Sequence, residues 1–247
     1  MLALTRIENK YDIVVNLGRL IQGKADVILT FSYGVKFRVR DFYDILAVYE
    51  MWENQPYKRL FENLKGPITF IDIGGYNGDS SVYAGRISGV KKIIVVEPLS
   101  DNFRMLKENL SLNKIKGAKA IKAVISGTAG KRKIYLYPNK RQVGQANLSY
   151  NTGSIEVKSI TLTDLVKRAR PPIVLKCDAE GAEYEIFENT PVKTFAKISK
   201  IMFEFHFGYF MNQKRLDELM SRLNKAGFTC SINENRWLAG LGYVYAK

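Results

Sequence analysis

The sequence predicts an α/β fold built on a mainly parallel sheet with helices on both faces. Three observations carry that prediction. Short apolar, β-branched runs at 68–73, 92–97, 172–177 and 200–205 read as buried parallel strands. Stretches with helical apolar spacing lie between them, so strand and helix alternate. A glycine-rich turn, Gly74-Gly75-Tyr76-Asn77-Gly78, follows the first of these strands and leads into Asp79-Ser80-Ser81, residues that favour a helix N-terminus. Strand, glycine turn and helix start together make the nucleotide-binding corner of a doubly wound sheet.

Ahead of that corner, residues 4–22 are expected to form one helix with Tyr11, Val14, Val15, Leu17 and Leu20 as its apolar stripe. Residues 26–30 and 35–39 alternate around Ser32-Tyr33-Gly34 and read as a hairpin. Asp41 is placed to cap the next helix, whose apolar contacts are Ile45, Leu46, Val48, Tyr49, Trp52 and Tyr57. Residues 1–64 are therefore read as a helical and hairpin extension on a main domain spanning 65–247. Within the main domain, helices are expected near 79–88, 100–113, 163–166 and 213–226. Further strands are expected at 118–124, 134–137, 229–231 and 243–245. No internal repeat or low-complexity segment interrupts this order.

The glycine turn discriminates between nucleotides. A dinucleotide fingerprint needs glycines at its first, third and sixth positions, and the third position counted from Gly74 is Tyr76. Asp72-x-Gly74-x-x-x-Gly78 instead resembles the first motif of S-adenosylmethionine (SAM) methyltransferases. In that resemblance the turn, Gly74 to Gly78, receives the methionine end of the cofactor and Asp72 adds negative charge near its ammonium group. The next strand ends Val95-Val96-Glu97-Pro98, and a carboxylate at such a tip can accept hydrogen bonds from both ribose hydroxyls.

At 247 residues and 46% hydrophobic content the chain can bury a large core. Its net charge is +14, from 38 Lys and Arg against 24 Asp and Glu, which favours anionic partners. The basic segment 114–141 concentrates that charge, and is read first as solvated strand edges, second as a site for an anionic acceptor or RNA. The two cysteines, Cys177 and Cys230, make no metal pattern and fit a reducing compartment. No run is long and apolar enough to span a bilayer, and the N-terminus lacks a signal-peptide core, so a cytoplasmic location is expected.

The fourth core strand ends Lys176-Cys177-Asp178-Ala179-Glu180-Gly181-Ala182-Glu183. Ligands of open α/β sheets bind outside the carboxyl ends of the strands, so Asp178 and Glu180 fall beside the expected site. FIDIGGYNGDSS, VVEP followed by NFRMLKENLSLN, SITLTDLV and LKCDAEGAEYEIF occur in the order found in FkbM-type SAM-dependent methyltransferases, which the chain resembles over roughly residues 35–206. The upstream FRVRDFYD…YEMWENQPY looks like that family's entry segment. Tyr76 in the turn and Ala179 in the acidic motif depart from the usual pattern. The resemblance implies a class I SAM-methyltransferase, Rossmann-like fold of seven core strands with the last antiparallel. It also implies SAM as methyl donor, bound through Asp72, Gly74, Gly75, Tyr76, Asn77, Gly78, Glu97, Pro98 and Asp178. Methylation of a hydroxyl oxygen follows from the same resemblance.

A hydroxyl acceptor must lose a proton during transfer, so a base belongs near the ends of the fourth and fifth strands. Asp178, Glu180, Glu204 and His206 are the candidates. Period-two alternation puts Glu204 and His206 on one side of the fifth strand, and His206 is the single histidine. These four side chains could also ligate a metal, but their spacing is not that of a dedicated motif, so no metal is assigned. The leading expectation is O-methylation of a small molecule, glycan or lipid. An RNA methyltransferase and a non-catalytic SAM-fold binding protein are the alternatives; the absence of an Asn/Asp-Pro-Pro-aromatic motif after the fourth strand disfavours base N-methylation. The acceptor, oligomeric state and pathway are not written in the sequence.

Overall fold

The structure, a computed structural model, describes residues 2–136, 143–144, 153–206, 212–234 and 241–247. The N-terminal segment forms α1 (Leu2–Thr5), α2 (Lys10–Val15), α3 (Leu17–Ile21), β1 (Val27–Phe31), β2 (Val35–Val39), α4 (Phe42–Glu53) and α5 (Lys58–Phe61). Then come β3 (Ile68–Ile73), α6 (Asp79–Gly85), β4 (Val90–Val96), α7 (Ser100–Leu112), β5 (Ala118–Ile121), β6 (Val124–Ile125), β7 (Gly130–Leu136), β8 (Val143–Gly144) and β9 (Gly153–Ile160). The chain ends with α8 (Leu162–Lys167), β10 (Ile173–Cys177), α9 (Glu183–Glu188), α10 (Val192–Phe195), β11 (Lys200–His206), α11 (Gln213–Lys225), β12 (Cys230–Glu234) and β13 (Leu241–Ala246).

The main sheet has the order β12-β13-β11-β10-β3-β4-β5. Strands β3, β4, β5, β10 and β11 run parallel, and β13 pairs antiparallel with β11. This is the seven-stranded, mainly parallel sheet with an antiparallel last strand that the resemblance implies. Strand alternation divides its core in two. Ile71 and Ile73 of β3, Leu175 of β10 and Phe203 of β11 pack with α8, α9 and α11 on one face. Phe70, Val174 and Met202, one residue out of phase, pack on the other face with α4, α6, α7 and the β1–β2 hairpin. The N-terminal segment thus completes a core that the main sheet begins.

The hairpin is fixed by helix α7. Asn109 accepts from the Arg38 amide (2.7 Å), and Asn113 accepts from the Lys36 amide (3.0 Å) and donates to the Lys36 carbonyl (2.6 Å). Asn109 in the last turn of α7 and Asn113 at its C-cap therefore pair the open edge of β2 as a neighbouring strand would. Asp41 caps α4 by accepting from the Asp44 amide.

Two expectations are corrected. Residues 4–22 form three short helices: Ile7 bridges to Phe31, and the Asn16 side chain bonds the Asp12 carbonyl where α2 ends. The inward residues are Ile7, Ile13 and Leu20, while Tyr11, Val14, Val15 and Leu17 are exposed. The interrupted helix resets the phase, so of the stripe assigned from a continuous 3.6 period Leu20 alone turns inward. The third core strand ends at Ile121, and Val124–Ile125 joins a second sheet, β6-β9-β7-β8. Its long member β9 alternates exposed and half-buried residues over much of its length, a weak signal that the sequence reading passed over.

Candidate active site

A cavity of about 1020 Å³ opens at the carboxyl ends of β3, β4, β10 and β11. That is the place where the parallel order reverses between β3 and β10, and where open α/β sheets bind their ligands. It is large for one drug-sized ligand and has room for a cofactor with an acceptor beside it.

The first wall comes from β3, β4 and their turns. Gly74 and Gly75 both donate to the Val96 carbonyl at 3.0 Å, which folds the glycine turn over the tip of β4. Gly74 has φ +79°, and a Cβ there would lie 1.8 Å from the Asp178 carbonyl oxygen. Glycine is required because the turns after β3 and β10 touch backbone to backbone. Glu97 stands at the tip of β4, buried. It accepts from the amides of Tyr76 (3.0 Å) and Leu99 (2.9 Å) and from the Asn102 side chain (3.3 Å). Burial raises its pKa to about 7 against the pull of those donors. Arg40 secures this wall from outside: it donates to Asn102 (2.8 Å), forms a two-pronged ion pair with Asp44, and lies over the Tyr76 ring. Val96, Ala123, Val124 and Ile125 add an apolar surface beyond Glu97.

The second wall is polar and lies on the face shared with the N-terminal segment. Lys176 is buried. Its ammonium is 3.3 Å from Asp72, 3.6 Å from Asp178 and donates to the Gly74 carbonyl at 2.7 Å. It thus ties the first and fourth strands together at the cavity floor. Glu204 on β11 is hydrogen-bonded to Asp178; burial, then the Asp178 charge, push its pKa well above the usual carboxylate range. Burial beside Asp178 therefore favours the protonated form of Glu204. Tyr243, directly opposite Glu204 on β13, donates to Glu50 at 3.3 Å, and buried Tyr57 faces the same carboxylates. Asp79, at the first turn of α6, lines the cavity, and burial raises its pKa to about 7.

Of the residues singled out in the sequence, Gly74, Tyr76, Glu97, Pro98, Asp178, Glu180 and Glu204 line the cavity. Glu180 does so with φ +51° in the turn after β10. Asp72 does not. It is fully buried, accepts 2.6 Å bonds from the Ser80 and Ser81 hydroxyls, and neutralises Lys176. In place of the cavity surface expected of it, Asp72 sits behind the wall, where its contacts hold α6 and Lys176. Gly75, Asn77 and Gly78 also stand behind the wall. Gly75 is pressed on Val95 and Leu106, Asn77 caps the Asp79 amide, and Gly78 starts α6 with φ +89°. Glu204, expected among the bases, has its pKa raised by burial and by the Asp178 charge, which weighs against that role. The His206 side chain lies outside the described residues. Glu183, inside the same motif, is buried and accepts from the amides of Ala179 and Gly181, bracing the 178–182 turn.

Lys176, Tyr57, Tyr243, Glu50 and Asp79 were not singled out from the sequence. Lys176 alone carried a signal, a lysine inside an otherwise apolar buried strand, for such a charge needs a partner. Tyr57, Glu50 and Tyr243 are brought in by tertiary packing.

A doubly wound sheet of this order, with a glycine turn, a carboxylate at the tip of the second strand and acids after the fourth, defines a class I methyltransferase. The methyltransferase FkbM domain profile matches residues 72–230, more than half of the chain, and the protein belongs to that family. The chain aligns with a crystal structure of methyltransferase FkbM from Methylobacillus flagellatus KT at a TM-score of 0.54 and 14% identity, over 96% of this chain and 60% of that one. A putative rRNA-methylase from Clostridium thermocellum gives 0.51 and 12%, over 78% of this chain and 93% of that one. At such identities the likeness is one of fold. The chain spans 60% of the length of the first of these proteins. No functionally curated protein matches it.

The cavity suits SAM on chemical grounds. Glu97 Oε1 already accepts from Leu99 and Asn102, but Oε2 accepts from Tyr76 alone and keeps a site for a ribose hydroxyl. The Val96–Ile125 surface is apolar as a purine face requires, and the carboxylates at the far end complement a cation.

Proposed function

We propose that the protein is a SAM-dependent methyltransferase that methylates a hydroxyl oxygen of a small molecule, glycan or lipid. The observation that carries this reading is the Asp178–Glu204 pair, set on Lys176 and facing the cavity beside the glycine turn. When bound, SAM supplies an electrophilic methyl group and a sulfur leaving group. Glu97 and Pro98 are assigned to its ribose side, Gly74 and Tyr76 to its methionine end. Asp178, Glu180, Glu204 and Tyr243 face the acceptor. Asp178 accepts the hydroxyl proton while the Lys176 ammonium balances its charge; Glu204, already protonated, donates a hydrogen bond that orients Asp178 or the acceptor oxygen. His206 remains the alternative base, on the sequence argument alone.

This end of the cavity is acid-rich, so it favours an uncharged hydroxyl over the anionic acceptor that the net charge suggests. Lys131 and Arg132, two of the cations behind the RNA alternative, are engaged by Glu156 and Glu185.

The test is methyl transfer from labelled SAM to a panel of sugars, lipids, hydroxylated metabolites and RNA. With the acceptor found, Asp178→Asn should lower kcat by roughly 10²–10⁴ and leave SAM affinity little changed. An activity limb that rises with pH should vanish in Asp178→Asn and persist in His206→Ala. The reverse result would assign the base to His206, and full turnover in both variants would refute both roles.

A further inference from the structure

Helices α2 and α3 are apolar on both sides. Ile13 and Leu20, seven apart, turn into the core. On the other side Tyr11, Val14, Val15, Leu17 and Ile21 face solvent, with Tyr11, Val14 and Ile21 exposed to 77%, 70% and 69%. Apolar side chains on the solvent side of surface helices, opposite those that face the core, lack a packing partner. Tyr43 on α4, exposed to 72%, joins this ridge at the cavity: Ile21, Lys24 and Tyr43 all line its mouth. A concentration of large exposed apolar side chains in one short segment points to an interaction site.

Charge and position identify the occupant. Lys10, Arg19 and Lys24 are exposed along the ridge, the acids nearby are Glu8, Asp12 and Asp26, the last paired with Arg38, and the whole chain carries +14. Apolar residues beside solvent-exposed cations, with tyrosines at the margin, match the boundary between anionic headgroups and acyl chains. A polynucleotide would meet the cations but leave the aliphatic ridge in water. The ridge also ends at the cavity mouth, so the surface that covers it lies against the entrance.

We propose that the α2–α3 ridge and Tyr43 seat the protein on an anionic lipid surface, and that its acceptor is an amphiphile entering the cavity from that surface by its hydroxyl end. The second half rests on the methyltransferase reading; the first stands without it.

Sedimentation with phosphatidylcholine vesicles, with and without added phosphatidylglycerol, tests the docking. Wild type should bind the anionic vesicles at near-physiological salt. Val14→Glu/Leu17→Glu should weaken the partitioning by about tenfold or more, and the uncharged Val14→Ser/Leu17→Ser should weaken it in the same direction. Circular dichroism and the unfolding midpoint check that both variants fold. No binding by wild type overturns the proposal. So does binding that both variants retain, since that is charge attraction alone. A wild-type dimer that the variants dissolve, without vesicle binding, assigns the ridge to a second copy and also overturns it. Calorimetry with SAM is run in parallel: failure of wild type to bind SAM refutes the methyl-transfer reading and leaves the vesicle result standing.

Discussion

Two buried charges make opposite demands on their surroundings. Glu97 is buried without a neighbouring cation in contact, and its pKa is raised to about 7. Hydroxyl donors from a ribose would favour its ionised form and lower that value. SAM affinity should therefore be complete above pH 7 and fall as pH drops below it, by up to about tenfold per unit. Glu97→Ala should weaken binding about tenfold or more and flatten that dependence, as titration calorimetry would show. Lys176 is buried between Asp72 and Asp178. Lys176→Met should destabilise the fold by about 3–5 kcal/mol, because Asp72 is left as an uncompensated buried charge. Adding Asp72→Asn should restore part of the loss; equal urea midpoints for Lys176→Met and wild type would contradict this.

At the level of elements, α7 organises the N-terminal side. Asn102 receives Arg40, Asn109 and Asn113 pair with the backbone of β2, and Asn109 also donates to the Asn77 carbonyl at 2.8 Å. One helix therefore holds both the hairpin and the glycine turn. Asn109 is fully buried, so Asn109→Ala strands the Arg38 amide and the Asn77 carbonyl. The cost should be at least about 1–3 kcal/mol in urea unfolding. SAM affinity should fall as well, since the turn loses a support; an Asn109→Ala protein that keeps wild-type stability would show that the hairpin is held by apolar packing alone.

Across the whole molecule, basic exterior and acidic cavity are separated. The interior acids Asp79, Glu97, Glu183 and Glu204 all have pKa values raised, first by burial. The sign of the linkage follows. A carboxyl whose folded pKa exceeds its unfolded one binds more protons when folded, so its contribution to stability falls as pH rises between the two values. Glu204 carries this penalty across the neutral range. Glu204→Gln removes it, and the Tm of the variant relative to wild type should climb as pH is raised from about 5 to about 9. A constant Tm difference over that range would show that Glu204 is already ionised in the folded protein.

The sequence by itself determined the sheet and several of the residues that line the cavity. Buried parallel strands are apolar runs with β-branched residues, and a turn that needs positive φ is written in glycine; both signals are local. Hence Gly74 and Glu97 were legible, as were Asp178 and Glu180 after the fourth strand. Tertiary structure decided which of these groups face the cavity and which way burial moves their pKa values. Asp72 has the right position in the motif, yet Ser80, Ser81 and Lys176 enclose it. Glu204 has the right strand, yet burial and the Asp178 charge raise its pKa. Tyr57 and Glu50 reach the site from 120 or more residues away from Asp178 along the chain, because the N-terminal segment completes the core on that face of the sheet. Burial and the field of distant charges depend on that packing, and no residue pattern within a single strand or helix encodes them.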